Sequence, residues 1–427
     1  MIASFFHSYR QQALFFCLTW MVSLLISAEF ITSVSMIALL ILALLEWQRE
    51  GTVSRLRWRP ALKENLALLV KEKAWLIISV PFFLVLCSAL YSTDIDYLLE
   101  RLRIKLPFLV LPFAFLSMPS LGKRDYFGVL YFFLLLLFVS SVFVGINYVM
   151  DFEAINIAIS KGQQVPTPIN HIRFSLMLAF AILVGGNLWR QGYYWRYAWE
   201  RPLLGILTVL LFGFIHILSV RSGLFVLYFS LVFLCVRYWL LAGKWLWTLG
   251  AFSLMLVLPL IMYKTIPSFT NKVNYSLYDL DMYRRGGRVS GLSDSERIVS
   301  LLVGLEIGNQ HPILGVGAGD LRQAVREIYG ERHEGMMVKM PHNQLVSVYA
   351  GTGILGLMVF LLAFFWPLFH QRNYQDPIFT SFHLMVFFSF MVENTIENAV
   401  GVAFYTLFLL LGMAYLRSMQ GRQDQTD

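Results

Sequence analysis

Three stretches place arginine or histidine at the edge of an apolar run. Arg221, in SVRSG, stands between two long apolar runs separated by barely two residues. A guanidinium so close to hydrocarbon is costly unless it is paired or snorkels to the interface, so it reads either as a site residue or as an interfacial anchor. Arg284, Arg285 and Arg288 in RRGGR, followed by Arg297, supply planar forks that match phosphate oxygens. The plainer reading of that group is a solvated basic loop balanced by Asp279, Asp281, Asp294 and Glu296. Arg297 stands apart because helical spacing fixes its direction. His342, in MPHNQLVSVYAGTGILG, sits where an apolar run starts. There the positive end of a helix favours a neutral imidazole, which is able to take a proton from a hydroxyl; the alternative is a structural histidine donating to a carbonyl. Glu393 and Glu397 read as one helical turn apart at the end of another run, where capping or pairing with a loop arginine competes with substrate contact.

Other patterns carry no chemistry. Gly351, Gly353 and Gly356 match G-x-G-x-x-G, but within an apolar run and without a preceding strand, so close helix packing accounts for them. The remaining histidines lack metal spacing, and no carboxylate pair suits general acid and base work. Cys17, Cys87 and Cys235 fall in three different apolar runs and read as small buried hydrophobes.

The elements that must position these residues are set by composition. In 427 residues, 58% are hydrophobic, 16% aromatic and 14% charged, with a mean hydropathy of +0.64. That is an integral membrane protein, with too little polar chain left for a large soluble catalytic domain. The formal charge of +8 is scattered over short connections, which is topogenic and excludes a nucleic-acid partner. Apolar runs give spans near 12–28, 30–47, 74–91, 106–119, 126–150, 171–189, 202–220, 223–241, 244–263, 343–369, 378–392 and 399–417. The fold class is all-α and polytopic with about twelve transmembrane helices, nine in 1–263 and three in 343–427, joined by a large loop at 264–342. No removable signal peptide stands out. The fourth span is short with Pro107 and Pro112, and the eleventh is short and runs into Glu393; both suit broken or re-entrant segments shielded by protein.

With the N-terminus inside, inner connections hold eighteen of the 34 Lys and Arg and short outer ones hold six. The remaining ten lie in the long loop, which is exempt from the rule. This puts 264–342 outside, in the periplasm of an enveloped bacterium. Within it, Leu292 to Ile307 reads as a helix with Ser293 as N-cap and Glu296 completing a capping box. HPILGVGAGD reads as a turn, and Leu321 to Tyr329 as a second helix. Ser92 to Lys105 is amphipathic and is expected along the outer interface.

Four stretches resemble the bacterial O-antigen ligase and O-antigen polymerase superfamily: NHIRFSLML, SVRSG, SERIVSLLVGLEIGNQHPILGVGAGDL and PHNQLVSVYAGTGILGLM. Gly351 departs from the pattern, since the family usually has glutamate there. The resemblance implies a GT-C-like glycosyltransferase of the inner membrane with its active site facing the periplasm. The donor would be a glycan on undecaprenyl pyrophosphate and the acceptor a sugar hydroxyl of the lipid A-core, with membrane lipids around it and neither cofactor nor metal. By motif, His342 would be the general base and Arg221 and Arg297 would hold the pyrophosphate, with Arg288, Arg173, His171 and Asn343 as further substrate contacts. A diphosphate-linked sugar already has a good leaving group, so arginines and a base suffice, and direct attack would invert the anomeric centre. An O-antigen or exopolysaccharide polymerase and a protein O-oligosaccharyltransferase would share the donor. A lipid-linked glycan transporter would show internal repeats and mid-membrane charges, which this chain lacks.

Overall fold

A computed structural model describes residues 8–50, 53–286 and 291–423. Arg288 lies outside the described residues. The elements are α1 (Tyr9–Leu25), α2 (Glu29–Leu44), β1 (Leu45–Glu50), β2 (Val53–Trp58), α3 (Leu62–Lys71), α4 (Lys73–Ser88), α5 (Ile95–Leu116), α6 (Lys123–Met150), α7 (Phe152–Ser160), α8 (His171–Arg190), α9 (Glu200–Leu218), α10 (Arg221–Ala242), α11 (Trp245–Thr265), α12 (Pro267–Arg284), α13 (Ser293–Gln310), α14 (Leu321–Arg332), α15 (Gln344–Phe369), α16 (Pro377–Val392) and α17 (Ala399–Gln423).

Each of the twelve apolar runs forms a helix. Among the described residues seven helices, α6, α8, α9, α10, α11, α15 and α17, are long and apolar enough to cross a membrane. Three more apolar helices, α2, α4 and α16, are shorter. This is an all-α membrane architecture with one exception that the sequence reading missed. The basic connection after α2 pairs β1 with β2 as an antiparallel hairpin.

The core is enclosed by α8 and α17, where Leu178, Ala179, Leu407 and Leu409 are fully buried. At the other extreme α11 leaves Leu246, Trp247, Leu254, Leu256 and Leu260 exposed. A helix apolar all round and this bare has lipid as its solvent. Around the helices of the long loop, Val299, Val303, Ile307, Leu321, Val325, Ile328 and Tyr329 form a second small core with Ala350.

Two expectations about α5 are corrected. Ser92 to Lys105 does not lie apart as an interfacial helix, and the fourth span is not broken at its prolines: both belong to the single helix Ile95–Leu116, with Lys105 buried. Asp94 caps it by accepting from Tyr97 N at 2.9 Å. Pro112 takes away the donor that would serve the Phe108 carbonyl, and Ser79 Oγ supplies a replacement at 3.0 Å, so the helix continues.

The glycines of GTGILG have a different role from helix packing. Gly353 has φ 65° and ψ −170°, which breaks α15 into two helical halves. The HPILGVG turn fills the break. Val316 N donates to Ala350 O at 3.0 Å and Gly317 N to Gly351 O at 3.0 Å, while Ile354 N donates to Pro312 O at 2.8 Å. A Cβ on Gly353 would stand 2.1 Å from Ile313 O. The turn and the broken helix are thus one unit, tied further by Asp320, whose carboxylate accepts from Thr93 N at 2.9 Å and Asp94 N at 2.7 Å.

Candidate active site

SVRSG serves four purposes. Ser219 ends α9 in the left-handed conformation (φ 53°), with its hydroxyl donating to His216 O at 2.6 Å. Arg221 opens α10. Ser222 Oγ donates to Glu393 Oε1 at 3.2 Å, and Gly223 lets α10 press on α8, since a Cβ there would meet Ser175 Cβ at 2.5 Å. The facing α8 begins with NHIRFS. Asn170 caps it through Ile172 N at 3.0 Å, which places His171 and Arg173 at the same end as Arg221.

Arg297 lies on α13, whose inner face reads Arg297, Ser300, Gly304, Gly308. Gly304 and Gly308 leave room for Pro341, Val346 and Tyr349, so α13 packs tightly along the start of α15. Ser300 Oγ accepts from His342 N at 3.3 Å. The expected capping box is only half present. Ser293 is the first helical residue and not the cap; its hydroxyl accepts from Arg221 Nη2 at 2.9 Å. Asp279 caps α13 instead, accepting from Asp294 N at 2.7 Å and Ser295 N at 3.1 Å, while Glu296 reaches back to Gly291 N at 2.8 Å.

These elements meet at Glu393. Its backbone is extended (φ −150°, ψ 154°), beyond the end of α16, so Glu393 and Glu397 are not successive positions of one helix as expected. The two carboxylates have separate partners. Glu397 accepts from Lys105 Nζ at 2.7 Å and Gln344 Nε2 at 2.6 Å, beside a cavity of about 230 Å³ lined by Tyr97 and Arg101. Glu393 is buried and accepts from Arg297 Nη2 at 2.8 Å through Oε1, with Oε2 3.4 Å from His342 Nδ1. Burial opposes its ionisation, but the His342 hydrogen bond and the charges of Arg297 and Arg173 outweigh that and hold its carboxyl below the usual carboxylate value. A carboxylate facing Nδ1 selects the Nδ1–H tautomer and leaves Nε2 as the proton acceptor.

Arg221 donates to Ser276 Oγ at 2.6 Å and forms an ion pair with Asp294. His171 lies within electrostatic reach of Lys272, Arg297, Glu393 and Arg221. Arg173 donates from Nη2 to Asn394 O at 3.3 Å, and its buried Nη1 finds no partner among the described residues. Asn343 is occupied by the fold: its oxygen caps α15 through Val346 N at 3.0 Å and its nitrogen donates to Met391 O at 2.9 Å. Arg285 is exposed and pairs with Asp281 at 2.9 Å, away from the cluster. Lys272, which sequence reasoning passed over, is buried in the cluster on α12. Burial, then repulsion by Arg221 and Arg297, lowers its ammonium to about 8.

Residues 206–361 match the family described as O-antigen ligase. Over this stretch the chain is similar to the O-antigen ligase family. Arg221, Lys272, Arg297 and His342 fall inside the O-antigen ligase match, whereas His171, Arg173 and Glu393 come from outside it. No curated protein matches the chain. Members of that family are membrane glycosyltransferase-like enzymes, which in general act on a lipid-linked glycan and a lipid acceptor.

Proposed function

We propose that the protein is an O-antigen ligase of GT-C-like architecture that transfers a glycan from undecaprenyl pyrophosphate to a sugar hydroxyl of the lipid A-core at the periplasmic face of the inner membrane. The supporting observation is the convergence of Arg297 and His342 on Glu393, which brings a phosphate-binding fork and a candidate base to one carboxylate. In this reading His342 Nε2 takes the proton of the acceptor hydroxyl as its oxygen attacks the anomeric carbon. The sugar–phosphate bond breaks on the opposite face, inverting that centre, and the electron pair leaves on the diphosphate. Arg221 and Arg297 hold that growing charge in place of a divalent cation. Glu393 fixes the tautomer and stabilises the imidazolium. Arg173 extends the basic wall with His171 beside it as a neutral contact, Arg288 is assigned a supporting contact on sequence grounds, and Asn343, expected from the sequence to touch substrate, serves instead to hold the start of α15 beside His342.

Deletion of the gene tests the choice of acceptor. Full-length polymer persisting on the undecaprenyl carrier, with the lipid A-core uncapped, supports the ligase. Loss of polymer beyond single repeat units on the carrier would make the protein a polymerase, and unchanged capping of lipid A-core would remove it from the pathway.

A further inference from the structure

Lys272 has no role in the fold that matches its burial. It is 3% exposed, yet its nearest acceptors are two neutral carbonyls, Gly162 O and Gln163 O, both at a long 3.4 Å. The Tyr275 ring stands 5.3 Å away. The turn carrying those carbonyls is held close by Gly162 (φ +93°), where a Cβ would strike the Tyr275 ring. The charged groups facing Lys272 are mostly like it, Arg221 from α10 and Arg297 from α13, while His171 on α8 stands by as a neutral ring. Asp279, on its own helix, is the acid within reach, and that carboxylate is already spent on Asp294 N, Ser295 N and the Ser295 hydroxyl. Asp294 is engaged by Arg221. A buried ammonium with no carboxylate of its own is expensive to maintain, and here it stands beside two arginines that each already hold one carboxylate, Asp294 and Glu393, so the added positive charge is left for an incoming anion.

We infer that Lys272 is a third cationic contact to the diphosphate of the lipid-linked donor, completing a wall whose other two members are Arg221 and Arg297. The inference rests on the proposed function and extends it. An ammonium suits this place because, as a compact point charge, it complements a phosphate oxygen that the two planar forks leave uncovered. Unlike the arginines it also titrates near the working range. The free ammonium loses its proton above about pH 8, while bound diphosphate favours the charged form, so donor affinity must fall as pH rises through that value.

The experiment uses the full chain in lipid nanodiscs with a synthetic undecaprenyl-pyrophosphate glycan, reading equilibrium binding and the thermal midpoint without donor. Lys272→Gln should weaken donor binding by about tenfold or more. Its apo midpoint at pH 7 should equal or exceed that of the wild type, because a folded pKa below the unfolded one makes the charged lysine a burden that is full below pH 8 and fades as pH climbs toward 10.5. Lys272→Arg should retain donor affinity within a few-fold and lose the alkaline decline. Wild-type binding and pH dependence in Lys272→Gln overturns this assignment alone. Absence of donor binding by the wild type overturns the donor reading and this assignment with it.

Discussion

Glu393 joins the two halves of the proposed chemistry, since one carboxylate oxygen accepts from Arg297 and the other faces His342. A neutral amide at this position would neither select the Nδ1–H tautomer nor stabilise an imidazolium. Glu393→Gln should therefore lower kcat by about 10²-fold or more with little change in donor binding; a kcat within twofold of wild type would reduce the residue to a structural tie. Arg221→Lys and Arg297→Lys should both lose transfer despite the conserved charge, as an ammonium lacks the two-pronged grip on a diphosphate and, at Arg297, the geometry to share Glu393. Wild-type turnover by both purified variants would make these ordinary interfacial arginines. Arg221, Arg297 and His342 were legible because each sits in a motif at the edge of an apolar run. Glu393 was visible only as half of a supposed helical pair, and its role emerges from the extended backbone after Val392. Lys272 has no motif, and its meaning comes from tertiary burial in a segment whose polarity reads as loop.

At the scale of elements, the twelve apolar runs and the two amphipathic loop helices were readable because hydrophobic length and spacing are local properties. Three features were not. Helix α12 is polar and carries no apolar face to betray it, the β1–β2 hairpin lies in a charged connection, and α5 includes both Pro107 and Pro112, with Ser79 satisfying the Phe108 carbonyl that Pro112 frees. The break in α15 was likewise hidden, since only the facing turn explains it. Gly353→Ala tests that unit. Its left-handed φ alone costs about 1–3 kcal/mol in a residue with a side chain, and the added Cβ collides with a backbone oxygen that has no rotamer to yield. The variant should show a lowered thermal midpoint and lose transfer as α15 shifts against α13, whereas Gly330→Ala, in open space on α14, should change neither. An unchanged midpoint in Gly353→Ala would mean that the turn and the helix are not rigidly joined.

For the whole molecule, the ends of α9 and α16, the polar helix α12 and the starts of α8, α10, α13 and α15 gather the charged cluster at one end of the bundle, while α11 turns its apolar side chains outward. In the proposed function that end faces the periplasm, the orientation expected from the uneven Lys and Arg distribution. Alkaline phosphatase fused after Arg332 should be active and after Arg55 inactive; the reverse would put the site in the cytoplasm, where a periplasmic acceptor is out of reach. In the proposed mechanism His342, held by Glu393, takes the acceptor proton while the cations hold the diphosphate. Its most direct measurement is single-turnover transfer by purified His342→Ala, with donor binding followed in the same sample. The expected rate is lower by about 10²- to 10⁴-fold, with donor affinity retained. Transfer at the wild-type rate by a folded His342→Ala protein would contradict it.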